Sequence, residues 1–447
     1  MIDLAVGWIA ARRPTRADRA PLLLILLTFA TVATAFAISS LALIRLGINY
    51  AEGGGSLLAK IHPATYLAAV ALAARILLQP HPTRHLIAAA ANHRGTMIFL
   101  WVVLSLLAYV VANLHVPLSS LIDTFLFPIL MLLLLDGIDE RSARLIALLI
   151  HAIYTANALL ALFEMATGWR LTPLIALGVD LSAADRRSSA LFGHPLANAM
   201  LTGLYVIALA VGGGRDLPPW VRPVAVVLQL AAMVSFGARL ATVTMLGLGM
   251  MLALGAVLRV VAGQRFRAST AATFLGLSPL ALVAVFGAYA AGFFDQFLER
   301  FVSDRRSAQA RVIMFELVPH FPLFQLLFGP DQGLLSSLMW TEGIEFGIES
   351  FWLSFVLTYG AVPSLFFFLG FGAFCLDLAR HAGKGSLWTI AYFLLVASGS
   401  LSIGGKTLAL GALVIVNIIL LRAGAQKPPD LAWPRRNFEQ PIARRHG

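Results

Sequence analysis

The sequence predicts an all-α polytopic membrane protein with about twelve transmembrane helices, on three observations: its composition, the spacing of its apolar runs and the distribution of its basic residues. Of 447 residues, 59% are hydrophobic and only 12% charged, and the mean hydropathy is +0.84. Soluble domains do not have this composition. Apolar runs long enough to cross about 30 Å of hydrocarbon as helices fall at 22–45, 63–78, 96–113, 119–135, 143–166, 195–212, 221–236, 239–258, 271–292, 351–378, 388–402 and 405–421. Between 221 and 258 the only break is Gly237-Ala238-Arg239.

Arg12, Arg13, Arg16 and Arg19 precede the first run, which no small-residue cleavage site follows, so a retained first helix is expected rather than a signal peptide. Both termini are then cytoplasmic. The segments this places inside hold 21 of the 33 basic residues and those outside hold 11, with Arg75 left within a span. That bias supports the orientation. It also accounts for the net charge of +11, so the charge gives no support for nucleic-acid binding. Cys375 is the only cysteine and lies within a span, which excludes a disulfide framework and a thiol metal site. Residues 1–421 read as one transmembrane domain and 422–447 as a disordered basic tail. No internal repeat is visible, which weakens an inverted-repeat transporter.

Most of the outer basic residues fall in two long loops, about 167–194 and 293–350, and nearly all are arginine. Arginine suits bidentate contact with phosphate. The first loop ends Asp185-Arg186-Arg187-Ser188-Ser189-Ala190-Leu191-Phe192-Gly193-His194-Pro195. Pro195 fits the first position of a helix, where its missing N–H is not needed, so Arg187 and His194 are expected at the membrane surface. The competing reading pairs Arg186 and Arg187 with Asp180 and Asp185 or with lipid headgroups, and leaves His194 as a hydrogen-bonding residue at the start of the helix.

The second loop holds an amphipathic piece from Arg311 to Val318, stopped by Pro319 and Pro322, and expected to lie along the interface. Its alternative is a solvated surface helix. Glu342, Glu345 and Glu349 then approach the next span, where Ser350 can cap the helix, so Glu349 is expected near a helix N-terminus at the surface. Gly404-Gly405-Lys406-Thr407 lacks the first glycine of a nucleotide-binding loop, position 400 being serine. Lys406 is instead offered to a phosphate, with snorkelling at a helix end as the alternative.

Several of these pieces, in this order, resemble the O-antigen ligase and Wzy-type polysaccharide polymerase superfamily, particularly its exopolysaccharide branch. Arg187-x-x-Ala-Leu-Phe-Gly-His194-Pro-Leu-x-Asn198 is similar to its "Arg, then Gly/Ala-x-Phe-x-His-Pro" signature. Glu164-x-x-Thr-Gly-Trp-Arg170 resembles the stretch leading into the first outer loop, and Gly237-Ala-Arg239-Leu-Ala the motif opening a span. Arg311-x-x-Met314 resembles an Arg-x-x-Trp segment, with methionine replacing tryptophan. Glu349-Ser350 followed by nine residues and Gly360 has the spacing of the ligases' His-Asn-x9-Gly motif, with Glu in place of His and Pro363 where the terminal glycine is expected. The likeness covers about 123–360.

What the resemblance implies is a GT-C-like glycosyltransferase of the bacterial inner membrane, acting at its periplasmic face. It would take glycan from undecaprenyl diphosphate, without metal or cofactor and with inversion. The change from His to Glu favours polymerisation over ligation. Donor and acceptor would both be undecaprenyl-diphosphate-linked glycans, with membrane lipids, a chain-length regulator and export proteins as partners. Arg170, Arg187, Arg239, Arg311, His194 and Lys406 are the expected substrate-binding residues. Glu349 is the expected proton acceptor, with His194 and Glu345 as alternatives. A ligase, or a transporter of lipid-linked sugars, is the competing function. A transporter should show ionisable residues near midspan on several helices, where Arg75 and Asp377 are almost alone.

Overall fold

The computed structural model describes residues 16–48, 50, 56–114, 116–176, 179–180, 182, 185–263, 289–290, 292, 294–295, 298, 307–344, 347–400 and 403–422. Six helices among them are long and apolar enough to cross a membrane, and five shorter apolar helices accompany them. The twelve expected spans therefore stand as six of full length, and the run 271–292 lies largely outside the described residues.

Helix α1 (Arg16–Ala37) stops at Ser39, whose hydroxyl caps the short α2 (Ser40–Arg45). α3 (Pro63–Leu77) and α4 (Pro82–Asn92) both begin on proline, as that residue's fixed φ allows. α5 (Arg94–Asn113), α6 (Leu118–Leu135) and α7 (Glu140–Thr167) follow as full spans, α6 containing a π turn at Ile122–Leu126. After a loop with one two-residue hairpin come α8 (Pro195–Gly213), α9 (Val221–Phe236) and α10 (Arg239–Val261). The face carrying that loop is called the loop face here, and the other the opposite face.

The expected surface piece falls largely in α11 (Ser307–Glu316), and two further short helices, α12 (Leu323–Phe328) and α13 (Gln332–Thr341), follow it. They build a small core of their own from Met314, Leu317, Phe321, Leu335, Ile344, Ile348 and Leu357. Phe315, Leu323, Phe324 and Trp340 stay outward, apolar surface suited to the region of lipid headgroups.

The run 351–378, expected as one span, breaks at Gly360 into α14 (Phe351–Tyr359) and α15 (Ala361–His381). Gly360 has φ +90°, and a Cβ there would lie 2.4 Å from the backbone nitrogen of Gly329. Only glycine fits such a turn. The chain doubles back through it: the Phe351 ring meets Phe371, and Phe355 meets Phe367. α14 therefore descends beside the loop-face half of α15, and its first residue lies roughly 15 Å below the turn. α16 (Ser386–Ser398) and α17 (Ala409–Leu420) complete the bundle.

The core is continuous through the bundle. α5 and α15 lie antiparallel at close range, helped by Gly95, where a Cβ would meet the Ala373 carbonyl at 2.3 Å. The Phe99 ring sits between Phe125, Phe367, Phe371 and Phe374 at centroid distances of 5.1–6.3 Å. α1 packs on α3, α3 on α6, α7 on α9, and α8 on both α10 and α16. Arg75, an isolated charge in the sequence, donates to the carbonyls of Leu133 and Leu134 at the opposite-face end of α6.

Candidate active site at the loop face

Glu164 organises the first loop. It is 3% exposed at the end of α7, and its two oxygens accept from Leu171 N at 2.9 Å and Ala190 N at 2.9 Å. One carboxylate thus holds both ends of the loop. Asn157 Oδ1 accepts from Leu191 N, Ser188 Oγ donates to the Ala161 carbonyl and Ser189 Oγ to that of Thr172. Asn198 Nδ2 reaches back to Ser189 O at 2.5 Å and His194 O at 3.0 Å. Ala190 takes φ +40°, tolerable for a small side chain held by its neighbours, and Gly193 takes φ +81° with Ser39 against it. Much of the 187–198 signature is therefore explained as a set of staples that fix where Arg187 and His194 stand.

Arg187 is clamped by Asp185, whose Oδ2 accepts from Nε at 2.8 Å and pairs with Nη2. The Asp185 pairing weighed against a ligand role is thus realised within the protein. Arg170 donates from Nη2 to the Asp185 carbonyl, and its Nη1 is buried without a partner. Arg45, from α2, donates to the Leu171 carbonyl. Arg45 and Arg170 line an open groove of about 510 Å³ with Gly168, Pro173 and Ser182. His194 is exposed, and its Nδ1 accepts from Leu196 N at 3.2 Å. Nδ1 then carries no proton, so the neutral ring offers Nε2–H as a donor. That tautomer suits holding an oxygen better than removing a proton.

The other candidates join through a chain of contacts. Ser188 N donates to Ser235 O at 3.1 Å, tying the Arg187 strand to the turn before Arg239. The side chain of Leu240, beside Arg239, rests on Gly399, where a Cβ would come within 2.7 Å. Ser398 accepts from Trp352 Nε1 at 2.8 Å, and Trp352 lies in the first turn of α14, three residues after Glu349. Arg187, Arg239 and Glu349 thus sit on elements that touch one after another. Ser350 caps α14 as expected, accepting from Leu353 N. The depth differs from expectation: since α14 doubles back, half-buried Glu349 stands well below the loop face, among protein, rather than at the surface. The Arg311 side chain and Glu345 lie outside the described residues, although the backbone of Arg311 belongs to α11.

Lys406 is turned to a different use from the one expected. Its Nζ lies 3.7 Å from Asp123 Oδ2 and 3.3 Å from the centre of the Tyr50 ring, and it donates to the carbonyls of Tyr50 and Lys60. Asp123, fully buried, also accepts from Tyr50 OH at 2.8 Å, Thr65 Oγ1 at 2.7 Å and His62 N at 3.0 Å. Burial pushes the Lys406 ammonium down to about 8, against the attraction of Asp123. The network joins the 50–62 segment, the π turn of α6 and the 403–408 loop. Asp123 went unassigned in the sequence although an acid inside the apolar run 119–135 is itself a signal. At the opposite face, His93, Asp377 and His381 form a second buried polar cluster, from residues far apart in sequence.

The chain matches no family model, no curated protein and no solved structure.

Proposed function

We propose that this chain is a membrane glycosyltransferase that joins oligosaccharide units carried on a polyprenyl diphosphate into a polysaccharide, at the loop face, which the distribution of basic residues assigns to the periplasm. The observation that carries the reading is the contact chain from the stapled Arg187 strand, through the Arg239 turn, to the inward-pointing start of α14 beside Glu349. It gathers residues of three of the five resembling motifs, which nothing in their sequence spacing requires.

Displacing a diphosphate asks for positive charge beside the leaving group and an acceptor for the proton of the attacking hydroxyl. In this reading Arg170, Arg187, Arg239 and Arg311 receive the diphosphate, with His194 Nε2–H as a further donor. The acceptor sugar hydroxyl attacks the anomeric carbon while the bond to the diphosphate breaks. Its proton passes to Glu349, and the negative charge remains on the departing diphosphate. A single displacement inverts the anomeric centre. Lys406 acts at one remove, fixing the 403–408 loop against Asp123.

Deleting the gene tests this. Accumulation of single lipid-linked units is expected. Finished lipid-linked polymer would indicate a ligase instead, and units trapped on the cytoplasmic leaflet would indicate a transporter.

A further inference from the structure

The cluster at the opposite face has chemistry that neither the fold nor the proposed transfer uses. His93 immediately precedes α5, while Asp377 and His381 lie four residues apart on the last turns of α15. One ligand atom from each falls within 4.8 Å of the others. His93 is 0% exposed; its Nε2 faces Asp136 Oδ2 at 3.1 Å, while Nδ1 makes no hydrogen bond and lies 3.7 Å from Asp377 Oδ2. A buried imidazole in that condition is costly unless something else satisfies it.

The surrounding contacts orient the group. Thr96 donates to Asp377 Oδ2 from N at 3.0 Å and from Oγ1 at 2.6 Å, fixing the carboxylate. His381 Nδ1 lies 2.9 Å from the Asp377 backbone carbonyl. That contact keeps the proton on Nδ1 and leaves Nε2 as the free lone pair, the arrangement common in metal-bound histidines. The two imidazoles lie face to face, 4.0 Å between centroids. Asp136 and His381, with side chains 39% and 24% exposed, border the cluster and leave it a way in.

We infer that His93 (through Nδ1), Asp377 and His381 bind a divalent cation of the zinc type, with water as the fourth ligand and Asp136 accepting from His93 Nε2. Two imidazoles and a carboxylate suit Zn²⁺, whereas Mg²⁺ and Ca²⁺ take oxygen ligands. The spread of ligand atoms closes by rotation of the His381 ring, which is at the edge of the cluster, away from its stack on His93. Bound there, the ion would tie the start of α5 to the end of α15, and through Asp136 to the α6–α7 turn. Its role is structural, on the face away from the proposed transfer.

The test uses the full-length protein in detergent, purified with an affinity tag free of histidine, stripped by chelator and supplied with ZnCl₂ alone. Elemental analysis after gel filtration should find about one zinc per chain, and zinc should raise the melting temperature where MgCl₂ does not. His381→Ala, at a partly exposed position, should weaken zinc binding by about tenfold or more and lose the thermal response. His320→Ala, which removes an exposed histidine from the α11–α12 connection, should retain both. Wild-type protein that keeps no zinc would overturn the inference. So would His381→Ala and Asp377→Asn variants that bind zinc and shift in melting temperature as the wild type does.

Discussion

Arg170 and Arg422 stand at opposite mouths of the same helix bundle, and the protein holds them differently. Arg422 is 9% exposed and meets two carboxylates, Asp216 Oδ1 and Glu140 Oε1, each at 2.9 Å from Nη2. Its charge is answered within the protein. Arg170 and Arg45 donate instead to the carbonyls of Asp185 and Leu171. A carbonyl orients a guanidinium without cancelling its charge, so the loop face retains positive potential in a fixed geometry. The opposite face uses Arg422 to close the fold, and the loop face keeps Arg45 and Arg170 turned toward a groove. Charge at one end should therefore govern stability, and at the other, activity.

The sharpest break in that comparison is Glu349→Gln. The amide keeps the shape of the side chain and removes the basic oxygen, so turnover with purified lipid-linked units should fall by about 10²-fold or more while the melting temperature holds. Wild-type elongation by this variant would remove Glu349 from the chemistry. Arg187→Lys separates the two uses of arginine within the loop face itself. Lysine keeps the charge but not the planar fork that Asp185 grips, and activity should drop by about tenfold or more while the protein still folds. Near-normal polymer yield from that variant would leave Arg187 only a generic electrostatic role.

At the opposite face the expected pattern reverses. Arg422→Gln leaves Asp216 buried without its cation, and thermal unfolding should show a loss of about 1–3 kcal/mol, with specific activity per folded molecule unchanged. A variant that unfolded normally but made no polymer would refute the division of labour between the faces.

The smallest effect belongs to Lys406. Its folded value of about 8 lies below the ordinary 10.5, so between those values the unfolded chain holds a proton that the folded chain has lost. Stability from this group therefore rises as pH increases through that window. The melting-temperature difference between wild type and Lys406→Met should shift in favour of the wild type from pH 8 toward pH 10. A flat difference would show that Lys406 titrates normally.

Much of the architecture was legible in the sequence. α8 begins at Pro195, where the missing N–H predicted it, α3 begins at Pro63, where the apolar run 63–78 starts, and α7 covers 140–167 against an expected 143–166. Ser350 caps α14, and Gly237 closes α9 in the left-handed region before Arg239 opens α10. The candidate site was legible only as residue types. Glu164, Asn157 and Asn198 read as parts of a signature or as polar residues in a span, and their hydrogen bonds across the loop showed what they hold. Asp123 and Lys406 pair across most of the chain, so no local pattern announces them.

By itself the sequence determined that the chain is a helical membrane protein, roughly where its helices run and how its basic residues divide among the segments between them. These follow from sums along the chain: hydrocarbon must be crossed by about 20 apolar residues, and basic residues resist translocation. Only the tertiary structure decided that the run 351–378 reverses at Gly360, that Glu349 descends beside α15, and that His93 meets Asp377. Hydropathy is blind to direction, so a straight span and a hairpin of two helices score alike. The choice between them rests on Gly360 and Gly329 approaching closer than any Cβ allows and on phenylalanines of α14 packing on those of α15. Those are contacts between segments, and a linear sequence carries them only as possibilities.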